Sequence, residues 1–194
     1  MFRPLVLLGI STHEPQGINN EAICEAVLKR QDIRLDDSMG NTFAEDSFYP
    51  EDHPECKQLL EEVQKIARAE IHSKLTNVNS WAHILEPNES TMFHTHSTPG
   101  MPPVISWAYY ASAPKDAGNI VWTFECNKNR VMQEEELGLG KLVFFSGEIP
   151  HFTKKNNSGQ TRISISGNLT LPADTDWQNF NPENWLNYVG VFMG

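Results

Sequence analysis

Residues 141–171 read KLVFFSGEIPHFTKKNNSGQTRISISGNLTL. Within this stretch three short runs rich in β-branched and aromatic residues, KLVFFS, IPHFTK and RISISGNLTL, alternate with Gly, Pro, Asn and Ser clusters, the pattern of strands joined by turns. Toward the N-terminus the same pattern recurs in NIVWTFEC, PVISWAYYAS, TMFHTHS and NVNSWAHIL. Seven strand-like runs at regular spacing predict a β-sandwich or barrel.

Upstream of residue 76 the period changes from two to about 3.6. Residues 54–75 place Leu59, Leu60, Val63, Ile66, Ala67, Ile71 and Leu75 on one helical stripe, with Pro54 in the first turn, where its missing N–H costs nothing. Residues 19–30 predict a shorter helix through Ile23, Ala26 and Val27, preceded by Asn residues suited to capping. Helices followed by strands predict a mainly β domain with helices packed on one side. Residues 32–52 are polar and acidic, with Gly40 and Pro50, and read as a surface loop. The opening MFRPLVLLGI reads as a strand or core-docking segment. The tail 173–194 carries Trp177, Phe180, Trp185, Tyr188 and Phe192 and is expected to dock on the barrel or on a partner subunit, as in a homodimer. One domain over 1–194 is expected, with a strand and supporting helices in 1–75, the β core in 76–172 and the aromatic tail after it.

Composition narrows the function classes. A chain of 194 residues, 39% of them hydrophobic, buries roughly 70% of its unfolded surface without a structural metal, so a metal here would serve chemistry. The 25 acidic residues outnumber 15 basic ones for a net charge of −10, and Lys and Arg form no run, which disfavours a groove for nucleic acid. Cys24, Cys56 and Cys126 fit neither a disulfide framework nor a zinc ribbon and read as buried thiols. The first apolar run is too short to span a membrane and no cleavage site follows it, so a cytoplasmic protein is expected.

The chemistry gathers around histidine. His94 and His96 stand two apart in a strand-like run, so both imidazoles aim at one face. His151 follows KLVFFS, where an adjacent strand of a jelly roll can bring it opposite the pair. Three neutral nitrogen donors on two strands make a facial metal site with open positions beyond it; the alternative is two strand residues satisfied by water or backbone. Farther along, Arg162 and Ser164 share a strand face, where a guanidinium fork can grip a carboxylate while the hydroxyl adds a further bond. An Arg turned into a barrel needs an anion, unless a structural Asp or Glu pairs with it or it lies on the outer face. Glu125 and Glu148 are the carboxylates that a suitable register could aim at the same metal. His13 and His53 in loops, His72 on the helix and His83 in SWAHIL read as structural.

Taken in order, H-x-H (His94, His96), the distal His151 and R-x-S (Arg162, Ser164) resemble the Fe(II)/2-oxoglutarate-dependent oxygenases, and among them small prolyl-hydroxylase-like members. The resemblance covers about residues 77–171 and takes in NVNSW, the Ser106 to Tyr110 strand, the Gly118 turn and the run from Gly140 to His151. It implies a double-stranded β-helix, or jelly roll, with two helices buttressing its major sheet. It also implies that His94 and His151 bind iron, that Arg162 clamps the distal carboxylate of 2-oxoglutarate, and that Ser164 and the Tyr110 phenol assist. A one-residue register change would exchange Tyr110 with Tyr109. His96 departs from the pattern, because most of the family carries Asp or Glu there. The implied cofactors are Fe(II), 2-oxoglutarate and dioxygen, and the implied reaction is hydroxylation of a small molecule or peptide, a prolyl residue included, with no membrane or nucleic-acid partner. Trp107, Trp122 and residues 32–52 are candidates for substrate contact. Two alternatives stand beside it. One is a cupin-like three-His dioxygenase or isomerase without 2-oxoglutarate, echoed in G-x5-S-G-x3-H over 140–151; the other is a non-catalytic jelly-roll binding module. The R-x-S pair favours the keto acid.

Overall fold

The computed structural model describes residues 9–29, 35–36, 42–43, 48–71, 74–96, 104–126 and 129–170. The aromatic tail, the first eight residues, most of the 32–52 stretch and His72 lie outside the described residues.

The elements run β1 (Ile10–His13), α1 (Asn20–Leu28), β2 (Leu35–Asp36), β3 (Thr42–Phe43), α2 (Lys57–Glu70), β4 (Thr76–Leu85), β5 (Thr91–His94), β6 (Ile105–Ser112), β7 (Ile120–Cys126), β8 (Asn129–Glu135), β9 (Leu142–Ser146), β10 (His151–Thr153) and β11 (Arg162–Thr170). They form two antiparallel sheets, a larger one in the order β1-β9-β6-β11-β4-β3-β2 and a smaller one in the order β5-β10-β7-β8. This is the jelly roll expected from the sequence.

The central strands β6 and β9 of the larger sheet are buried on both faces, which explains why they read as near-continuous apolar runs. On one face Trp107, Tyr109, Leu142, Phe144, Ile163 and Ile165 pack with Ile23 and Val27 of α1 and Leu59, Val63 and Ala67 of α2. On the other face Ala108, Tyr110, Val143 and Phe145 pack with Ile120 and Trp122 from the smaller sheet. The alternation of neighbouring residues between two cores follows from the period of two along a strand. Along β11 the same alternation turns Ile163 and Ile165 toward the helices and Arg162 and Ser164 into the space between the sheets.

The helices differ in detail from expectation. Asn19 caps α1, its side-chain oxygen accepting from the Ala22 N–H at 3.1 Å. The stripe predicted as one helix over 54–75 is a 3-10 turn, Pro54–Cys56, followed by α2 over Lys57–Glu70. The Cys56 N–H bonds to the His53 carbonyl at 2.9 Å, so the proline-led turn closes by i to i+3 bonding before the α-helix starts. Leu75 is buried but lies past the helix.

Three further differences concern the strands. The predicted loop 32–52 contains two-residue strands, of which β3 pairs with β4 through Thr42 to Ile84 and Phe43 to His83. β8 has no counterpart among the seven predicted runs. Its residues are exposed or half-buried along its whole length, so the sequence NRVMQEE carries no apolar face to betray it. His13 lies in β1 rather than in a loop, with its ring 3.4 Å from the Glu70 carboxylate. No helix among the described residues is long and apolar enough to cross a membrane.

Candidate metal centre and adjoining anion pocket

His151 and His94 are direct partners across the β10–β5 pair, so antiparallel register alone sets these two rings side by side. Their centroids are 4.3 Å apart. His96 arrives differently from the sequence expectation. β5 ends at His94, and His96 sits two residues past it, tied in place by its backbone N–H bonding to the Gly147 carbonyl at 2.9 Å. Strand parity therefore does not aim His96; a backbone bond to the β9–β10 connection does. The outcome is convergence all the same: a ligand nitrogen from each of His94, His96 and His151 falls within 4.8 Å of the others.

The donor set fits a metal. The ring Nδ1–H of His94 donates to the Met92 carbonyl at 2.8 Å and that of His151 to the Ile149 carbonyl at 2.9 Å. In each ring the bond engages Nδ1 and leaves Nε2 as the atom available to a metal. The Nε2 atoms of His96 and His151 stand 3.3 Å apart, the spacing of two nitrogens that both lie about 2.0–2.1 Å from one ion. Burial, reinforced by the neighbouring histidines, pushes His96 and His151 down to about 3, so both are neutral and ready to ligate near pH 7. Glu125 and Glu148 are exposed and take no part in the cluster, so among the described residues the site has three imidazoles and no carboxylate.

Beside the histidines lies a cation. Arg162 is 2% exposed. One guanidinium amino group, Nη1, donates to the Gly118 carbonyl at 2.9 Å and reaches the Ala117 carbonyl at 3.5 Å, while its buried Nε–H has no partner. No carboxylate among the described residues pairs with it; burial works against its charge, and the Tyr110 ring 5.9 Å away offsets that only in part. Ser164 follows on the same strand face and lines the same cavity. Tyr110 lines it too, and burial pushes its phenol up to about 12, keeping it a proton donor. Tyr109 points the other way, its hydroxyl donating to Asn20 Oδ1 at 2.6 Å beneath α1.

The three histidines, Arg162, Ser164 and Tyr110 thus share one cavity of about 40 Å³, room for two or three waters. Size does not single it out. A hollow of about 470 Å³ along α2, lined by Glu51, His53 and Lys57, is far larger but gathers no metal-ligating cluster. Of the two tryptophans raised from sequence, Trp107 belongs to the helix-side core while also bordering the cavity. Trp122 lies between the sheets, in register with His151, and its buried indole N–H has no partner. Cys24 and Cys56 are no nucleophiles, since burial pushes their thiols up to about 11 and about 12.

His83 was read as structural but lines this cavity. Trp81 Nε1–H donates to its Nε2 at 2.7 Å, and the Trp81 ring stacks on His96 at 5.5 Å with an interplanar angle of 21°. Burial first, then the positive ends of Arg162, His94 and His151, push His83 down to about 3. His83 and Ser164 are cross-strand partners and border the same cavity, a register that only the folded sheet supplies.

The arrangement defines a class first: a double-stranded β-helix with a cluster of three imidazoles and a buried arginine beside it. Solved structures that share this fold include prolyl hydroxylases and a non-heme alpha-ketoglutarate-dependent enzyme. A Pseudomonas putida prolyl-4-hydroxylase matches 85% of this chain and 94% of its own at 17% identity and a TM-score of 0.61. The non-heme alpha-ketoglutarate-dependent carbocyclase SnoK of nogalamycin biosynthesis matches 84% and 80% at 16% identity and 0.64. A Trichoplax adhaerens prolyl hydroxylase, solved with a hypoxia-inducible-factor peptide fragment, matches 84% and 83% at 15% identity and 0.62. No sequence-family model and no curated protein matches the chain. At these identities the likeness establishes the fold; the chemistry must be argued from the site.

Proposed function

We propose that the protein is an Fe(II)- and 2-oxoglutarate-dependent oxygenase that hydroxylates a C–H bond. One observation carries this beyond the fold: a buried Arg162 that no carboxylate among the described residues pairs with, opening on the same cavity as three converging imidazoles. A cation in that setting is stabilised by a bound anion, and a keto diacid presents one carboxylate to it while the other end reaches the metal. The arginine favours this reading over a three-His enzyme working without a keto acid.

His94, His96 and His151 would hold the iron, which with 2-oxoglutarate and dioxygen supplies the oxidising power as the keto acid is decarboxylated to succinate. The chain's own residues bind, orient and exclude. The Gly118 and Ala117 carbonyls hold one amino group of Arg162, leaving the rest of the fork to grip the distal carboxylate. Ser164 and the protonated Tyr110 phenol donate to the same group. Phe145, packed 4.7 Å from His151 and 6.0 Å from His96, walls the site with an aromatic ring that keeps bulk water away.

The prolyl hydroxylases among the structural neighbours make a prolyl peptide the first substrate to try. Iron-dependent conversion of 2-oxoglutarate to succinate should appear with the native protein and be raised by a hydroxylatable peptide. Arg162→Ala should lower kcat/KM for 2-oxoglutarate by about a hundredfold, the loss of a charge-assisted bidentate contact. Turnover unchanged in that variant would contradict the assignment of Arg162, and no succinate under any condition would contradict the reaction.

A further inference from the structure

Past the cavity, on the side away from Arg162, the inner face of the larger sheet carries a row of neutral side chains. Asn79 of β4, Asn168 of β11 and Ser106 of β6 are cross-strand partners in register. The Ser106 hydroxyl donates to Asn168 Oδ1 at 2.8 Å, and the Asn168 amide nitrogen donates to Asn79 Oδ1 at 3.1 Å. We propose that Asn79, at the end of this row, is a specificity-determining residue that donates a hydrogen bond to a main-chain carbonyl of a peptide substrate, with Asn168 and Ser106 as positioning residues. The proposal rests on the oxygenase reading of the site and adds the substrate class to it.

Placement is the first ground. Each member of the row lies two residues, one step along the same strand face, from a residue that lines the cavity: Asn79 from Trp81, Asn168 from Ser166 and Ser106 from Ala108. Both ends of the row adjoin rings that meet His96. Trp81 stacks on His96 at 5.5 Å, and Phe145, the cross-strand partner of Ser106, lies edge-on to it at 6.0 Å. Asn168 stands six residues from Arg162 on β11, about 20 Å along the strand, beyond the reach of a five-carbon diacid held at the arginine. The row therefore borders the histidine end of the site, where a substrate meets the metal, and not the arginine end.

The second ground is the direction of the bonds. Both run one way, from Ser106 through Asn168 to Asn79, so the oxygen of the Asn79 carboxamide is occupied and its NH2 group is left as the donor that ends the chain. Asn79 is exposed, and among the described residues its NH2 group has no partner. A neutral donor suits a neutral acceptor. An extended peptide turns its carbonyls to one side every second residue, about 6.6 Å apart, the same step that separates Asn79 from Trp81 along β4. A peptide with one residue beside His96 thus brings a main-chain carbonyl to Asn79.

The test measures succinate formation from 2-oxoglutarate with iron and a pool of acetylated, amidated hexapeptides of randomised sequence, with free amino acids as the comparison. The peptides should raise turnover and the amino acids should not. For the most active peptide, Asn79→Ala should raise KM about fivefold, the loss of one hydrogen bond, at unchanged kcat and unchanged KM for 2-oxoglutarate. Asn79→Asp, an acceptor without an N–H, should do at least as much, and Asn168→Ala should raise the peptide KM about threefold. An unchanged peptide KM in both Asn79 variants would overturn the role of Asn79. Because Asn79 is exposed, its variants decide the matter even where Asn168→Ala does not fold. A native protein that binds 2-oxoglutarate yet responds to no peptide, or responds equally to free amino acids, would overturn the substrate class. One that binds no 2-oxoglutarate would instead overturn the oxygenase reading, a result separable from the others.

Discussion

Taking a guanidinium out of water costs several kcal/mol unless its donors are met, and Arg162 keeps an unpartnered Nε–H in the interior. What it lacks is the flat pair of oxygens that a carboxylate provides, which is why arginine and lysine are not equivalent here. Arg162→Lys should raise KM for 2-oxoglutarate by about tenfold or more while leaving iron binding intact. The two adjacent tyrosines separate by the same logic. Tyr110→Phe removes a phenol lining the cavity and should raise that KM by about threefold, whereas Tyr109→Phe removes a bond to Asn20 beneath α1 and should leave it unchanged. An equal effect of the two would mean that the strand register is off by one. At this scale the sequence was most legible where a strand face fixed the answer, as for Arg162 with Ser164. His96 reaches His94 and His151 for a reason that the sequence does not contain, namely a backbone bond to Gly147 beyond the end of β5. His83 was passed over because a lone histidine in an apolar strand carries no sign of what lies across from it.

Elements set how firmly the site is held. The turn between β6 and β7 presents the Ala117 and Gly118 carbonyls to Arg162, and Gly118 adopts φ +86 with Lys154 so close that a Cβ would meet its carbonyl oxygen at 2.0 Å. Gly118→Ala must therefore displace either the turn or the β10 connection, and weaker 2-oxoglutarate binding is expected together with lower stability. On the far face of the sheet, Leu59 of α2 is fully buried with Val63 and Ala67. Leu59→Ala should cost about 2–5 kcal/mol in chemical denaturation, with binding at the site preserved under native conditions. The long strands and both helices were legible because each shows a periodic apolar face. β8 was not, since an exposed edge strand needs no such face, and the α2 start was misplaced because a 3-10 turn and an α-helix share their first apolar contacts.

Across the whole molecule the histidine cluster lies between two sheets, and folding there buries three titratable rings. His83, His96 and His151 are each held at about 3 against 6.5 in an unfolded chain. Their folded values are depressed, so the unfolded chain binds more protons between those limits. Their contribution is complete above pH 6.5 and is lost as pH falls toward 3, each group removing up to about 1.4 kcal/mol per pH unit. Metal-free protein should hold a level denaturation midpoint above about pH 7 and lose it steeply below about pH 6. A midpoint level down to about pH 4 would show that these rings are not buried as described. The jelly roll was legible at this scale from seven alternating runs; that no carboxylate among the described residues joins the histidine cluster is a fact of packing, since Glu125 and Glu148 needed a register to be excluded. The most direct measurement is anaerobic absorbance titration of the metal-free protein with Fe(II) and then 2-oxoglutarate. One iron per chain should bind, a weak visible band from the keto acid on iron should follow, and His151→Ala should abolish both. Stoichiometric iron with no band at saturating 2-oxoglutarate would contradict the account.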